Sequence, residues 1–499
     1  MRKRRFILNT IVSLVNQLLL ILSGFIVPRY MLLFYGSETN GLVSSISQFL
    51  GFISFMQAGV GAVVQSVLYK PLSCSDWIEV SKIYKSAQRF FRTIAYIFLG
   101  YTLIISLVYP FFSKTDYSHI ELFVLVWAIS VNLFAQYYFS ISNTILLNAD
   151  QKSYIPLIFS SITIILSVVT SVGLMVTGQN IITMKLITNI VCLVSPLGIT
   201  LYVRKSYPIN RNVTYETEPI QQKWSGFAQH ISAVIVENTD IIVLTLFSTL
   251  KNVSVYTVYN LVVVAVKQLL ISTTAGVQAL FGDMIAKGEM KELRKSFDRF
   301  ELLFSFLTTF MYSSTITLIV PFVKVYTSGV TDANYDTPLF AVLISLAVAI
   351  FCYRTIYYTL IKAAGHFKET QIGAIIEVVI NLCISIVAVN KFGLIGVAIG
   401  TCIAVFYRTV YCVWYLSKHL IQRPVILFVK NTFINIIVFL VCYLFSRFFK
   451  MSECTYISWL FLAIPEAMLN LLIVFIVYFI GYKKELLFGL NIIRSKLFH

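Results

Sequence analysis

Two carboxylates, Glu237 and Asp240, stand close together in an apolar run that also holds Gln229, and their spacing puts all three on one face of a helix. An ionisable group at membrane depth costs at least about 2.5 kcal/mol near the bilayer centre, so each such residue is a functional hypothesis by default. Two carboxylates together can hold a proton or Na⁺. The next apolar run carries Asn260, Lys267, Thr274 and Gln278 as a single polar stripe, with Lys267 near its middle. Earlier in the chain Ser47, Ser54, Gln57, Gly61 and Gln65 share one helical face, and Asn9, Ser13, Asn16 and Ser23 share another. Only a water-filled cavity would wet such stripes, although ordinary hydrogen bonding between helices also accounts for Ser and Asn at these positions.

The elements that position these groups follow from composition. The 499 residues are 58% hydrophobic and 12% charged, with a mean hydropathy of +0.82, against roughly 25% charged residues in a soluble domain. Lipid is therefore the solvent, and a bilayer core takes roughly 20 apolar residues per helix. The net charge of +17 does not point to nucleic acid, because Lys and Arg flank the apolar runs, where they orient a membrane protein. The eight Cys form no CxxC, so neither zinc nor a disulfide framework is indicated. Met1-Arg2-Lys3-Arg4-Arg5 and the apolar stretch after it resemble a signal peptide, but the stretch runs to Leu33 without a small-residue cleavage site, and is expected to remain as the first helix.

Apolar windows place spans near 7–33, 41–69, 94–113, 119–148, 154–176 and 182–203. A second set lies near 226–249, 255–285, 300–324, 337–363, 370–389, 393–416, 431–447 and 457–481. With the N-terminus inside, the inner loops collect most of the cations, Lys85, Arg89, Arg92 and Arg423 among them. The outer loops receive only Lys114, Lys185, Lys251, Lys324, Lys391, Arg447 and Lys450. Both termini are thus expected in the cytoplasm. Segments 70–93 and 286–299 read as short amphipathic helices at the interface, and 204–225, broken by Pro208 and Pro219, as a cytoplasmic linker.

Lys85-Ser86-Ala87-Gln88-Arg89-Phe90 recurs as Lys295-Ser296-Phe297-Asp298-Arg299-Phe300, and Pro110-Phe111 as Pro321-Phe322, each at the same place in a six-helix set. A shift of six helices keeps the orientation, giving parallel repeats about an axis along the membrane normal. Residues 1–203 and 226–417 form the expected lobes, and 418–499 two added helices and a cytoplasmic tail. The fold class expected is an all-α membrane protein of about fourteen spans.

Val27-Pro28-Arg29-Tyr30, Tyr35-Gly36-Ser37-Glu38-Thr39-Asn40-Gly41-Leu42, Gly59-Val60-Gly61-Ala62-Val63-Val64 and Leu68-Tyr69-Lys70-Pro71-Leu72 carry a resemblance to the Wzx-type polysaccharide repeat-unit flippases of the multidrug/oligosaccharidyl-lipid/polysaccharide exporter superfamily. The resemblance implies a MATE-like pseudo-twofold fold, with a cavity between lobes lined by helices 1, 2, 7 and 8, where periodicity alone found the polar stripes. It implies residence in a bacterial cytoplasmic membrane and an undecaprenyl-pyrophosphate-linked glycan as substrate, used for capsule, O-antigen or other surface polysaccharide. Membrane lipids, a polysaccharide polymerase and chain-length machinery are the implied partners. No catalytic residues, metal or cofactor are expected beyond Na⁺ or H⁺ as a coupling ion.

Lys267 would attract a pyrophosphate, and Asn16, Gln57, Gln65, Asn260 and Gln278 would exchange hydrogen bonds with sugar hydroxyls. Lys267 is equally readable as half of a buried pair with Glu237 or Asp240, and Arg29, after Pro28, as substrate contact or as a snorkelling side chain. Arg354 is expected to pair with Glu377 in a structural or gating role, and Arg408 to snorkel. Glu466 follows Pro465 without a visible partner; the resemblance would place it by a lipid-tail groove. His230 and His366 read as structural. The rival functions are a cation-coupled multidrug antiporter of the same fold, which Lys267 disfavours, and a polysaccharide polymerase or ligase, which would need a long outer loop that the chain lacks.

Overall fold

The computed structural model describes residues 2–54, 60–210, 212–215, 218–220, 238–367 and 369–482. Among them there is no strand, and twelve helical stretches are long and apolar enough to cross a membrane. The first of these, Ile7–Ser54, holds two spans, and a short apolar helix at Asn238–Phe247 stands where the seventh is expected, so the described helices fill the expected pattern of spans. The chain divides into two compact units, Met1–Ser254 and Val255–His499.

The first unit opens with α1 (Arg2–Gly51), which breaks at Gly36, where φ of 81° suits glycine. It continues through α2 (Val60–Ser73), α3 (Trp77–Phe112), α4 (His119–Ala135), a π-turn (Gln136–Ser140), α5 (Ile141–Ala149), α6 (Tyr154–Val176), α7 (Ile181–Val191), α8 (Val194–Ser206) and α9 (Asn238–Phe247). Local chemistry sets the starts: Asp76 accepts from the Glu79 amide at 3.0 Å, Ser118 and Glu121 form a capping box, and Asn180 accepts from the Thr183 amide at 2.7 Å. Ile46, Leu50, Val80, Ala87, Phe91 and Phe98 fill the core between α1 and α3. Gly41 lies so close to the Leu250 carbonyl that a Cβ there would collide with it, and Asn40 donates to Ser254 Oγ at 2.8 Å beside that contact. At the other end of the unit Asp150 gathers Lys152 at 2.7 Å, the Tyr207 hydroxyl at 2.5 Å and Arg5 at 3.5 Å.

The second unit takes up the chain within α10 (Leu250–Ser272) and adds α11 (Ala275–Ala286), α12 (Met290–Tyr326), α13 (Pro338–Ala363), α14 (Gln371–Phe392), α15 (Leu394–His419), α16 (Ile426–Ser446) and α17 (Tyr456–Gly481). The α14–α15 hairpin is drawn together by Gly396 and Gly400, one turn apart, which sit against the backbone of Ala388 and Ser385. Small residues are how membrane helices approach closely without a hydrophobic driving force between them. Thr309 of α12 ties α16 and α17 to the unit: its hydroxyl lies 2.7 Å from Tyr353, 3.0 Å from Asn435 and 3.0 Å from Tyr478.

Two expectations need correction here. The segments 70–93 and 286–299 do not form separate interfacial helices: most of each belongs to α3 and α12, continuous helices of 36 and 37 residues that run on through the third and ninth spans. Nothing breaks the helix between Trp77 and Ile94, and the buried stripe Val80, Tyr84, Ala87, Phe91, Ile94 and Phe98 passes unbroken through the change from polar to apolar composition. Helix propagation needs only that continuity.

Gly400→Ala should cost about 1–3 kcal/mol by overpacking against Ser385, whereas Gly100→Ala, with open space around it, should leave the thermal midpoint of the detergent-purified protein unchanged. Equal midpoints for the two variants would show that the α14–α15 approach is not set by Gly400.

Candidate functional site

Inside the first unit, α4, the π-turn, α5, α6 and the start of α8 surround a cavity of about 630 Å³, within the range of small-molecule sites. Its wall carries Asn132, Gln136, Ser140, Thr144 and Asn148 from one run of chain, Ser160, Thr163 and Ser167 from α6, and Ser195 from α8, with no charged residue among the described residues. Thr163 Oγ is a buried group with no hydrogen-bond partner among the described residues. A cavity so lined is suited to a neutral ligand rich in hydroxyls.

The π-turn explains why five residues spaced by four share this wall. A step of four overshoots an α-helical turn by about 40°, so the ladder from Asn132 to Asn148 would wind away across a straight helix. The π-turn at Gln136–Ser140 takes an extra residue into one turn and returns about 100° of that drift. The Phe139 carbonyl accepts from Asn143 Nδ2 at 2.6 Å and from Thr200 Oγ at 3.0 Å, and Tyr84 donates to Asn143 Oδ1 at 2.7 Å. These bonds hold the distortion in place. Sequence reading passed over this wall because it sought ionisable groups and stripes of period 3.6; the i, i+4 repeat of amides and hydroxyls was the signal.

Of the residues singled out by sequence, Gln57, Gln229, His230 and Glu237 lie outside the described residues. Asp240 is on α9 and 6% exposed. Asn16 is 5% exposed and its amide donates to Leu157 O, Ser160 Oγ and Ser161 Oγ at 3.0–3.3 Å, joining α1 to α6 just beside the polar cavity. Gln65 donates to the Tyr69 hydroxyl at 2.8 Å on a partly exposed face of α2, and Arg29 is half-buried on α1. Asn260 is half-buried on α10, and Gln278 exposed on α11.

In the second unit Lys267 Nζ stands 4.8 Å from the centre of the Phe351 ring, and the Arg354 guanidinium is also 4.8 Å from it. The fold thus brings Lys267 next to the Arg354–Glu377 pair, which is present with Nη1 to Oε1 at 2.6 Å. Arg408 corrects the snorkelling expectation. It is buried, its Nε is 3.8 Å from Glu377 Oε2, and its Nη1 donates to the Thr370 carbonyl at 2.8 Å. Gly373 leaves the space it occupies. Turning inward gives the guanidinium a carboxylate and a carbonyl that the hydrocarbon side cannot supply.

Glu466 is 2% exposed on α17, close to Thr317 of α12, and its Oε1 has no hydrogen-bond partner among the described residues. Sequence reading also missed the burial of Arg423, counted only as an inner-loop charge. It pairs with both oxygens of Glu301, whose carboxylate also accepts from Tyr357, and lies 2.8 Å from Asp298. A second cavity of about 440 Å³ lies above this pair, with an almost wholly apolar wall that includes Phe304, Leu343, Leu346, Ile350, Phe406 and Phe439.

This fold is similar to that of solved transporters of the multidrug/oligosaccharidyl-lipid/polysaccharide (MOP) superfamily. Among solved structures, the lipid II flippase MurJ in an inward closed conformation matches with a TM-score of 0.69 and 16% identity, over 96% of this chain and 99% of that one. An inward-facing multidrug resistance MATE transporter matches at 0.65 and 13%, over 82% of this chain and 98% of that one. A MOP superfamily transporter from Pyrococcus furiosus matches at 0.56 and 12%, over 85% and 97%. No family model and no curated protein matches the sequence. At these identities the likeness is one of fold.

Glu377→Gln leaves Arg354 and Arg408 buried without their anion and should destabilise the protein by about 3–5 kcal/mol, read as a lowered thermal midpoint in detergent. A midpoint equal to that of the unmodified protein would mean that the two arginines find other partners.

Proposed function

We propose that this protein is a flippase that moves undecaprenyl-pyrophosphate-linked oligosaccharide repeat units across the bacterial cytoplasmic membrane by alternating access, for capsule, O-antigen or other surface polysaccharide. The observation that carries this reading is the uncharged cavity of amides and hydroxyls among membrane helices. Carrying a glycan through hydrocarbon leaves many hydroxyls unsatisfied, at several kcal/mol each, and such a wall offers replacement partners. The apolar cavity of the second unit offers a complementary surface for polyprenyl chain. The match to the lipid II flippase extends over 96% of the chain, against 82% for the MATE transporter, which favours a lipid-linked glycan over a drug. An antiporter of cationic drugs would call for an acidic pocket, and neither cavity's chemistry suits one: among the described residues the first has no charge and the acid of the second is held by Arg423.

In this reading residues 1–203 and 226–417 are the moving lobes, Lys267 with Arg29 meets the pyrophosphate, and Glu237 with Asp240 couples transport to Na⁺ or H⁺. Both termini face the cytoplasm, and a polymerase with its chain-length machinery takes the product.

The decisive measurement presents lipid-linked oligosaccharide in one leaflet of proteoliposomes and follows its exposure to a glycosidase on the other side. Protein-dependent exposure is expected. It should fall about tenfold in Gln136→Leu with Thr144→Val, the loss of one or two hydrogen bonds in the transition state, and in Lys267→Ala. No exposure with any of several cell-wall and capsule precursors would turn the assignment to the drug antiporter. In the same assay Glu237→Gln with Asp240→Asn should remove dependence on an imposed ion gradient; a folded double variant that still follows the gradient would exclude that pair as the coupling site.

A further inference from the structure

A third cavity, of about 690 Å³, opens on the first unit where α3 approaches its apolar stretch. Lys85, Arg89 and Arg92 line it from successive turns of α3, and Val213 to Tyr215, after α8, form the opposite wall. No acidic residue lines it among the described residues. Lys85 is held by the Val213 carbonyl at 2.7 Å. Arg92 stacks on Tyr138 at 4.8 Å, yet its buried Nε has no hydrogen-bond partner among the described residues. Beyond this wall Glu216 lies outside the described residues, and Glu218 accepts from Ser86 Oγ.

The repeated motif shows that the fold does not require this arrangement. In the second unit Lys295 pairs with Glu292 at 2.8 Å, and Asp298 pairs with Arg423 at 2.8 Å, so acids stand within and beside the motif there. The first unit has Gln88 where the second has Asp298, and adds Arg92. Depth is the other argument. From Lys85 to Arg92 α3 rises about 10 Å, comparable to the headgroup layer that separates hydrocarbon from water, and the apolar run begins directly beyond.

We infer that this cavity is a binding site for the phosphate of an anionic phospholipid, with Arg89 and Arg92 as its principal contacts. Arg92 Nε and the two guanidinium forks supply the planar donors that phosphate oxygens accept. The site is distinct from the glycan route proposed above and does not depend on it.

The test uses the full chain in a neutral detergent and counts bound lipid by native mass spectrometry during titration with phosphatidylglycerol, phosphatidylcholine or inorganic phosphate. Saturable binding of phosphatidylglycerol is expected, without matching retention of phosphatidylcholine. Arg89→Gln with Arg92→Gln should weaken it about tenfold or more, as the loss of two surface cations implies. Gln88→Asp, which keeps both arginines and imports the acid of the second repeat, should weaken it in the same direction and guards against misfolding of the double variant. Phosphatidylglycerol binding of equal strength in the unmodified protein and both variants would overturn the proposal. So would binding of inorganic phosphate that phosphatidylglycerol fails to displace, which would assign the site to a soluble anion.

Discussion

A polar group that leaves water for hydrocarbon must find its partner within the protein, and the interior of this molecule is arranged around that requirement. Asn16 spends its amide on α6, Asn143 on the carbonyl at the π-turn, and Thr309 on three helices at once. Each bond satisfies a group that the bilayer would leave bare, and each fixes one helix against another. Where apolar packing between helices gains little over packing against lipid, such bonds and the close approach at Gly396 and Gly400 decide which helices are neighbours.

The same requirement separates two kinds of interior. In the second unit two groups of charges are closed into sets, Arg354 and Arg408 on Glu377, and Arg423 on Glu301 and Asp298, with Glu466 standing apart from both. Removing one member strands the others, so these sets act as fasteners, and Arg423 lets the connection to α16 grip α12 next to an apolar cavity. In the first unit no charged residue lines the polar cavity among the described residues, and its wall presents amides and hydroxyls. A wall of neutral donors and acceptors exchanges partners at low cost, which is what passage of a hydroxyl-rich head group demands; closed ion pairs would resist it.

The chain's two long helices show how the repeat was put to different uses. Both carry the Lys-Ser motif and a proline near the far end. In α12 the motif supplies Asp298 and Phe297 to the Arg423 cluster, while in α3 it leaves an open basic wall. Gln88 against Asp298, together with Lys82 against Glu292 and the added Arg92, separates the basic wall from the fastener.

The spans were legible in the sequence because each apolar window is long and bounded by charge, and hydrocarbon thickness allows little latitude in helix length. The Arg354–Glu377 pair was legible for a related reason: two opposite charges at membrane depth have few other places to go. Arg408 and Arg423 were not, since a cation near a helix end reads equally as snorkelling or as a topological signal, and only the neighbouring helix reveals the carboxylate it meets. The polar cavity also required tertiary structure. Its ladder of residues spaced by four is misaligned on an ideal helix, and it becomes one wall only through the π-turn, which Asn143 braces locally and Thr200 and Tyr84 brace from elsewhere in the chain. Sequence by itself thus determined which segments enter the membrane, because that depends on local composition. Which polar groups were closed against each other and which were left open depended on contacts between distant helices, and only the folded chain decided it.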